Sequence, residues 1–268
     1  MDRPDWVPEE VDLTRPSNAR LYDYFLGGAH NFAVDRELAA QIVQMTPNIA
    51  ETMRANRAFL RRAVRFLVAS GIRQFLDIGS GIPTAGNVHE VAQAAAPESA
   101  VVYVDVDPVA VAHSRAILEG NDRTAVLCAD LRAPEEILAA ARETGLIDFA
   151  EPLAVLLAGV VHFIPDSDDP GDILATLRTV VAPGSYLLVS HVTHEDQPPE
   201  VLQAFELSKR TPEPIMLRSR AEIKTYFGEF TLVEPGLVHI PLWRPDSPED
   251  VGEHPERINA FAGVGRKS

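Results

Sequence analysis

Phe75-Leu76-Asp77-Ile78-Gly79-Ser80-Gly81-Ile82-Pro83-Thr84 is the stretch on which the reading of the fold turns. A short apolar run enters a Gly-x-Gly turn and Ala-rich sequence follows, which predicts a strand, a tight loop and a helix. Glycine at such a turn lets backbone pass close to a ligand, because no Cβ intervenes. The N-terminus of the helix beyond adds a partial positive charge. Asp77 stands at the carboxyl end of the strand. An acid there must be hydrogen-bonded or face a cation, since burying it unpaired is costly. Dinucleotide-binding loops usually lack that acid, and the third glycine of their fingerprint is Thr84 here. Both facts speak against a nicotinamide-dependent oxidoreductase and for a ligand that carries an ammonium group.

The same rhythm continues downstream. Residues 101–106, 125–128, 153–157 and 186–189 are apolar runs of strand length. They alternate with helical stretches at 85–96, 109–118, 134–143 and 171–181. Such alternation predicts an α/β fold with a doubly wound, mostly parallel sheet covered on both faces. The second strand ends at Asp105, where a carboxylate can accept both hydroxyls of a ribose. Asp107 precedes Pro108, so it reads either as a member of the same site or as the N-cap of the next helix. The third strand leads into Asp130-Leu131, which reads either as an acid and a backbone amide that can meet adenine or as an ordinary loop aspartate. Three strands each ending in an acid form one constellation on the carboxyl edge, where open parallel sheets bind ligands.

The fourth strand exits through Ala158-Gly159, small residues that allow close approach of a ligand. His162 follows in Val160-Val161-His162-Phe163-Ile164-Pro165 and reads as a base, as a group orienting a second substrate, or as a packed histidine. His191 and His194 follow the fifth strand near that same edge and read as structural or solvent-exposed, or as groups facing a second substrate. With Glu195 and Asp196 they match no zinc signature. Beyond residue 193 the pattern predicts helices near 201–210 and 219–227, a strand at 230–233 and a last strand at 237–242.

Ahead of the sheet, residues 1–16 are rich in proline and charge and read as an extended arm. A helical region covers 18–70, broken at Gly27-Gly28. Within it, Phe59, Leu60, Ala63, Val64 and Leu67 make one apolar stripe over 56–68. Tyr22, Tyr24, Phe25 and Phe32 accompany Asn18, Asp23, Asn31 and Asp35. Two readings stand for this segment: a lid hinged at Gly27-Gly28 with Tyr22 or Tyr24 lining the site, or a helical hairpin packed on the sheet. Arg57 reads as a solvated helix residue or as a partner for a ligand carboxylate. The division expected is 1–55 for arm and helical extension and 56–268 for the sheet domain, the two forming one compact unit.

Composition bounds the function. Apolar residues make up 46% and charged residues 24%, an ordinary globular balance. A chain this long buries roughly 75% of its unfolded surface and needs no metal or disulfide to hold a core. The one cysteine, Cys128, excludes an intrachain disulfide and a multi-cysteine metal centre. Lys and Arg number 24 against 39 Asp and Glu, and the net charge of −15 disfavours a nucleic-acid partner. The longest apolar run, 153–164, is too short to cross a bilayer. Met-Asp-Arg-Pro-Asp-Trp opens the chain without an apolar signal core, so a cytoplasmic location is expected.

Asp77-Ile78-Gly79-Ser80-Gly81, Asp105 and Asp130 together resemble the class I S-adenosylmethionine-dependent methyltransferases. A fuller likeness includes Arg15 to Arg20, Tyr22 to Gly28, Asn31-Phe32, Asp35-Arg36 and Gly86-Asn87-Val88-His89-Glu90. These are similar to an actinobacterial S-adenosyl methyltransferase family formerly labelled a domain of unknown function. Pro83 departs from the many class I members that carry a third glycine there. The resemblance implies a Rossmann-like methyltransferase sheet with an N-terminal helical extension, and S-adenosyl-L-methionine as cofactor. It implies cofactor-binding roles for Asp77, Gly79, Ser80, Gly81, Asp105, Asp107, Asp130, Leu131, Ala158 and Tyr22. His162 and Tyr22 are the candidate catalytic residues. The expected activity is methyl transfer to a small-molecule acceptor. The alternative is a silent cofactor-binding regulatory or partner protein.

Overall fold

The computed structural model describes residues 11–83 and 86–268; residues 1–10 of the expected arm, and Thr84 and Ala85, lie outside the described residues. Five parallel strands make the centre of the sheet: β1 (Gln74–Ile78), β2 (Ala100–Asp105), β3 (Thr124–Cys128), β4 (Ala154–Ala158) and β5 (Tyr186–Val192). They lie in the order β3-β2-β1-β4-β5. The order reverses at β1, with β2 on one side and β4 on the other, and the crevice at such a switch point is a ligand site.

The helices are α1 (Asn18–Phe25), α2 (Ala33–Met45), α3 (Ile49–Ala69), α4 (Val88–Ala95), α5 (Pro108–Ile117), α6 (Pro134–Glu143), α7 (Pro170–Val180), α8 (Pro199–Glu206) and α9 (Arg220–Thr225). Alternate residues of each strand enter different layers. Phe75, Val101, Leu156 and Leu188 pack with the stripe Phe59, Leu60, Ala63, Val64 and Leu67 of α3. Leu76, Val102, Leu157 and Leu187 pack with Ile137 of α6, Leu174 of α7 and Ile223 of α9. The period-two pattern thus divides one sheet between two apolar cores. α3 runs unbroken through positions 55 and 56. Its buried Arg62 donates to the carbonyls of Trp243 at 3.0 Å and Ile240 at 3.1 Å, pinning residues 240–243 across the helix.

The C-terminal region corrects the expected strand at 237–242. Only Val238–His239 form a strand there, β7, and a 3-10 turn follows at Ile240–Leu242. The expected strand at 230–233 is the two-residue β6 (Thr231–Leu232). The strand that extends the sheet is β8 (Ala260–Arg266), which runs antiparallel to β5 from Tyr186↔Arg266 to Val192↔Ala260. β6 and β7 both pair with β8. Sequence pattern conceals β8 because Gly263 and Gly265 interrupt its alternation. Gly265 is a packing requirement, and Gly263 sits in a tight contact. A Cβ on Gly265 would lie 2.9 Å from Phe227 Cδ1 and from Phe230 Cβ, and one on Gly263 would lie 3.2 Å from Phe227 Cζ.

Gly265→Ala is therefore expected to destabilise the protein by about 1–3 kcal/mol, the usual cost of overpacking a core. Urea unfolding should show a lower midpoint with an unchanged slope.

Candidate functional site

The glycine turn after β1 is folded back onto β2. Gly79 N–H and Ser80 N–H donate to the Val104 carbonyl at 2.8 and 3.2 Å, and Gly81 N–H donates to Asp105 Oδ2 at 2.7 Å. Gly79 and Gly81 have φ of +73° and +68°. Gly79 also lies against Val160, where a Cβ would collide. The amides of Gly79, Ser80 and Gly81 are thus spent within the protein. Ser80 Oγ is buried without a hydrogen-bond partner.

Asp105 is the clamp of this turn. Its Oδ1 also accepts from Asp107 N–H at 2.9 Å. Burial raises its pKa to about 6 against the opposing pull of those N–H groups. Asp77 is 4% exposed, and its carboxylate accepts no hydrogen bond among the described residues. Burial raises its pKa to about 7; Arg57 opposes that rise and Asp105 adds to it. Asp77 and Asp105 are therefore two buried acids on neighbouring strands, one of them lacking a close donor.

The other two acids of the strand tips are more heavily engaged. Asp107 caps α5, accepting from Val109 N–H at 2.8 Å with Pro108 at the first helical position. It also accepts from the Ser17 hydroxyl and lies 4.0 Å from Arg20. Asp130 holds the Arg132 guanidinium, with contacts of 2.9 Å to Nε and 2.5 Å to Nη2. Burial raises the Asp130 pKa, but the Arg132 hydrogen bonds outweigh it and leave a net lowering.

A cavity of about 460 Å³ brings these groups together. Asp77, Gly79, Ser80, Gly81, Asp105, Asp107, Asp130, Leu131, Ala158, His162 and Tyr22 all line it. Volumes of this size suit small ligands. α1 and α3 supply one wall. The Tyr22 hydroxyl donates to the Met53 carbonyl at 3.2 Å and accepts from Asn56 Nδ2 at 3.2 Å. Asn56 Oδ1 in turn accepts from the Ser190 hydroxyl on β5 at 2.7 Å. Sequence reasoning missed Asn56. Its signal was a polar residue placed one turn ahead of Phe59 and Leu60, on the stripe that packs against the sheet. Arg57 lines the same cavity, with its Cζ 5.5 Å from the Tyr22 ring centroid and a buried, unpartnered Nε.

The polar residues around α1 brace the segment more than they line the site. Asp35 is fully buried and accepts from Arg20 Nε at 2.8 Å, Ser17 N–H at 3.0 Å and Phe32 N–H at 2.8 Å. Asp23 accepts from His30 N–H and Asn31 Nδ2, both at 2.9 Å. Gly28 lies so close to Asp23 that no Cβ fits. Residues 11–16 of the expected arm belong to this region, and Val11 packs on Ile82 of the glycine turn and on Val109 of α5.

On the far side of the switch point, His162 is 7% exposed with an unpartnered Nδ1. Burial, with His191 and Arg218 nearby, holds its pKa well below the usual histidine value, so the ring is neutral. His191 is structural in its contacts: Nδ1 lies 2.6 Å from the Val192 carbonyl and Nε2 lies 3.1 Å from Arg218 Nη1. Burial takes its pKa down to about 3. Arg218 also donates to Ile164 O at 2.8 Å and to Asp166 at 2.6 Å, fixing the turn that carries His162. His194 is exposed. No helix among the described residues is long and apolar enough to cross a membrane.

A switch-point cavity with acids at successive strand tips is the architecture of a nucleoside-binding α/β protein. The chain belongs to the S-adenosyl methyltransferase family, whose model matches residues 4–268. A candidate methyltransferase from Thermobifida fusca is 40% identical, with a TM-score of 0.92 over 99% of this chain and 100% of that one. A DUF574 family protein from Streptomyces avermitilis is 39% identical, with a TM-score of 0.91 over 96% of this chain and 99% of that one. Human N-acetylserotonin methyltransferase is 15% identical and shares the fold alone, with a TM-score of 0.51 over 95% of this chain and 63% of its own. Comparison with curated proteins gives no match.

The chemistry of the cavity fits the family's cofactor, S-adenosylmethionine. Asp77 lacks a hydrogen bond among the described residues, and Ser80 Oγ and Arg57 Nε are orphaned beside it. An amino acid carrying both an ammonium and a carboxylate matches such a set.

Removing the acid that organises this wall has a calculable cost. Asp35→Ala takes the close carboxylate from buried Arg20, leaving it the more distant Asp107 at 4.0 Å, and strips the N–H groups of Ser17 and Phe32 of their acceptor, so it should destabilise the protein by about 3–5 kcal/mol. Calorimetric melting should show the loss as a lowered Tm.

Proposed function

We propose that this protein is an S-adenosylmethionine-dependent methyltransferase acting on a small-molecule acceptor. The observation that carries the reading is Asp77, a buried carboxylate with no hydrogen-bond donor among the described residues, facing a cavity it shares with Asp105 and Arg57. In this reading Asp77 holds the ammonium of the cofactor and Arg57 its carboxylate. Asp105 holds the ribose hydroxyls with the lone pairs that Gly81 and Asp107 leave unused. Leu131 and Asp130 border the adenine, and the glycine turn and Ala158 allow close approach. Asp107 acts chiefly through the α5 cap and the α1 contact, and Tyr22 as a wall.

When bound, S-adenosylmethionine supplies a methyl group already activated by a sulfonium, so the protein must align an acceptor and exclude water. His162 is a neutral imidazole with a free Nδ1 and serves to orient that acceptor. Its low proton affinity suits it to hydrogen bonding better than to general-base work. The cavity's volume of about 460 Å³ and the net charge of −15 favour a small molecule over a nucleic acid.

Isothermal calorimetry with S-adenosylhomocysteine tests the site. The folded protein should bind it, and Asp77→Asn should weaken binding by about 10- to 100-fold at pH 8, the worth of one charge-assisted hydrogen bond. The pH dependence has a definite sign. Asp77 has a raised pKa near 7 in the free protein, and an ammonium partner favours its ionised form. Affinity should therefore rise with pH from about 6 to about 8, with a proton released on binding, and Asp77→Asn should flatten the profile. Failure of both S-adenosylmethionine and S-adenosylhomocysteine to bind the folded protein overturns the reading. Binding without methyl transfer to any small acceptor would favour a silent binding protein.

A further inference from the structure

The wall formed by β4, β5 and the segments after them has a different chemistry from the acid-lined strand tips. Asn259 stands immediately before β8 and lines the cavity. Its main-chain carbonyl accepts from Thr193 N–H at 2.9 Å, a bond that any residue would provide. Its side chain is the anomaly. Asn259 is 2% exposed, and both Oδ1 and Nδ2 are buried without a partner. A buried carboxamide left unpaired costs stability, so packing does not account for it.

The surroundings restrict what it faces. Val192, paired with Ala260, lines the cavity beside it, and Phe205 and Ile215 add apolar surface to the same cavity. The Ser190 hydroxyl is spent on Asn56, and His191 has both ring nitrogens engaged. Among the residues from 158 onward that line the cavity, the one formal charge is Glu213. That carboxylate feels Arg132, Asp107 and Asp130, which places it towards the strand tips. Among the lining residues of this wall, a charged ligand group would find no counter-ion other than Glu213.

We propose that Asn259 recognises the methyl acceptor, and that this acceptor is a neutral, largely apolar molecule presenting an adjacent hydrogen-bond donor and acceptor, as a lactam or carboxamide does. The carboxamide of Asn259 offers one donor and one acceptor side by side. A lactam edge answers both at once, which fixes its register as well as its affinity. The inference rests on the cofactor assignment above, because it gives the acceptor the part of the cavity that the cofactor leaves.

The test uses the full-length protein saturated with S-adenosylhomocysteine and three calorimetric probes: 2-quinolinone, N-methyl-2-quinolinone and 2-naphthoate. The first is a flat apolar lactam, the second lacks its N–H, and the third carries a charge. 2-Quinolinone should bind at least about tenfold more tightly than either of the others. Asn259→Leu should erase that preference, still bind S-adenosylhomocysteine, and melt at the same or a higher temperature, since an apolar group of similar shape replaces an unpartnered amide. Equal binding of the three probes, binding of none, or a preference that survives Asn259→Leu overturns the proposal. So does a Tm several degrees lower in Asn259→Leu, which would reveal a structural partner for the amide. If wild-type protein saturates with none of the cofactor forms, the cofactor assignment itself has failed, and that result is separate from the probe comparison.

Discussion

Two carboxylates buried at adjoining strand tips govern this structure. Asp105 takes the Gly81 N–H and so bends the glycine turn back over β2; Asp77 stands beside it without a hydrogen bond among the described residues. The raised pKa values, about 7 for Asp77 and about 6 for Asp105, express the cost of holding these groups ionised in a closed space. For a carboxylate raised on folding, the stability it contributes is full below its unfolded value and is lost as pH rises through the folded one. The ligand-free fold therefore loses stability from about pH 4 to about 7, and a bound cation restores it. Ligand affinity and fold stability share the same two oxygen-rich groups.

The helical extension is tied to this edge by a second set of buried charges. Arg20 and Asp35 are 4% and 0% exposed in their side chains, a pair that is costly to break because either partner would keep a buried charge without its close counter-ion. Ser17 then reaches Asp107, the cap of α5, and Val11 covers Ile82 of the glycine turn. The extension, the cap and the turn are consequently one unit. α3 completes it, presenting Asn56 and Arg57 to the cavity from a helix whose apolar stripe lies on the sheet.

Much of this was legible in sequence because the signals are local. The strands β1 to β5 are apolar runs that need no distant partner to be recognised, and Pro108 after Asp107 marks a helix start wherever it occurs. What escaped is non-local. β8 carries glycines because Phe227 and Phe230 occupy the space above it, a contact no strand pattern records. Asp130, expected beside adenine, also holds the guanidinium of Arg132, two residues on, a contact that strand pattern does not record. The dense polar residues of 18–35 resembled a site, but Asp23 and Asp35 bind main-chain amides of their own hairpin. Asn56 and Asn259 became visible only when helix α3 and the start of β8 were placed around a common cavity.

That cavity joins a charged environment to a neutral one. One end holds Asp77, Asp105 and Arg57, and the other holds imidazoles that burial keeps neutral: His162 well below the ordinary histidine pKa, His191 near 3. The contrast suits methyl transfer from a sulfonium to an uncharged nucleophile, in which positive charge is spread over more atoms as the reaction proceeds. Water solvates a concentrated charge better than a dispersed one, so a weakly polar enclosure penalises the ground state relative to the transition state. In the proposed reading, fixed carboxylates anchor the parts of the cofactor that do not change charge. The neutral wall with Arg218 holding its turn in place then needs only to align the acceptor, which explains a site rich in binding groups and sparing in catalytic ones.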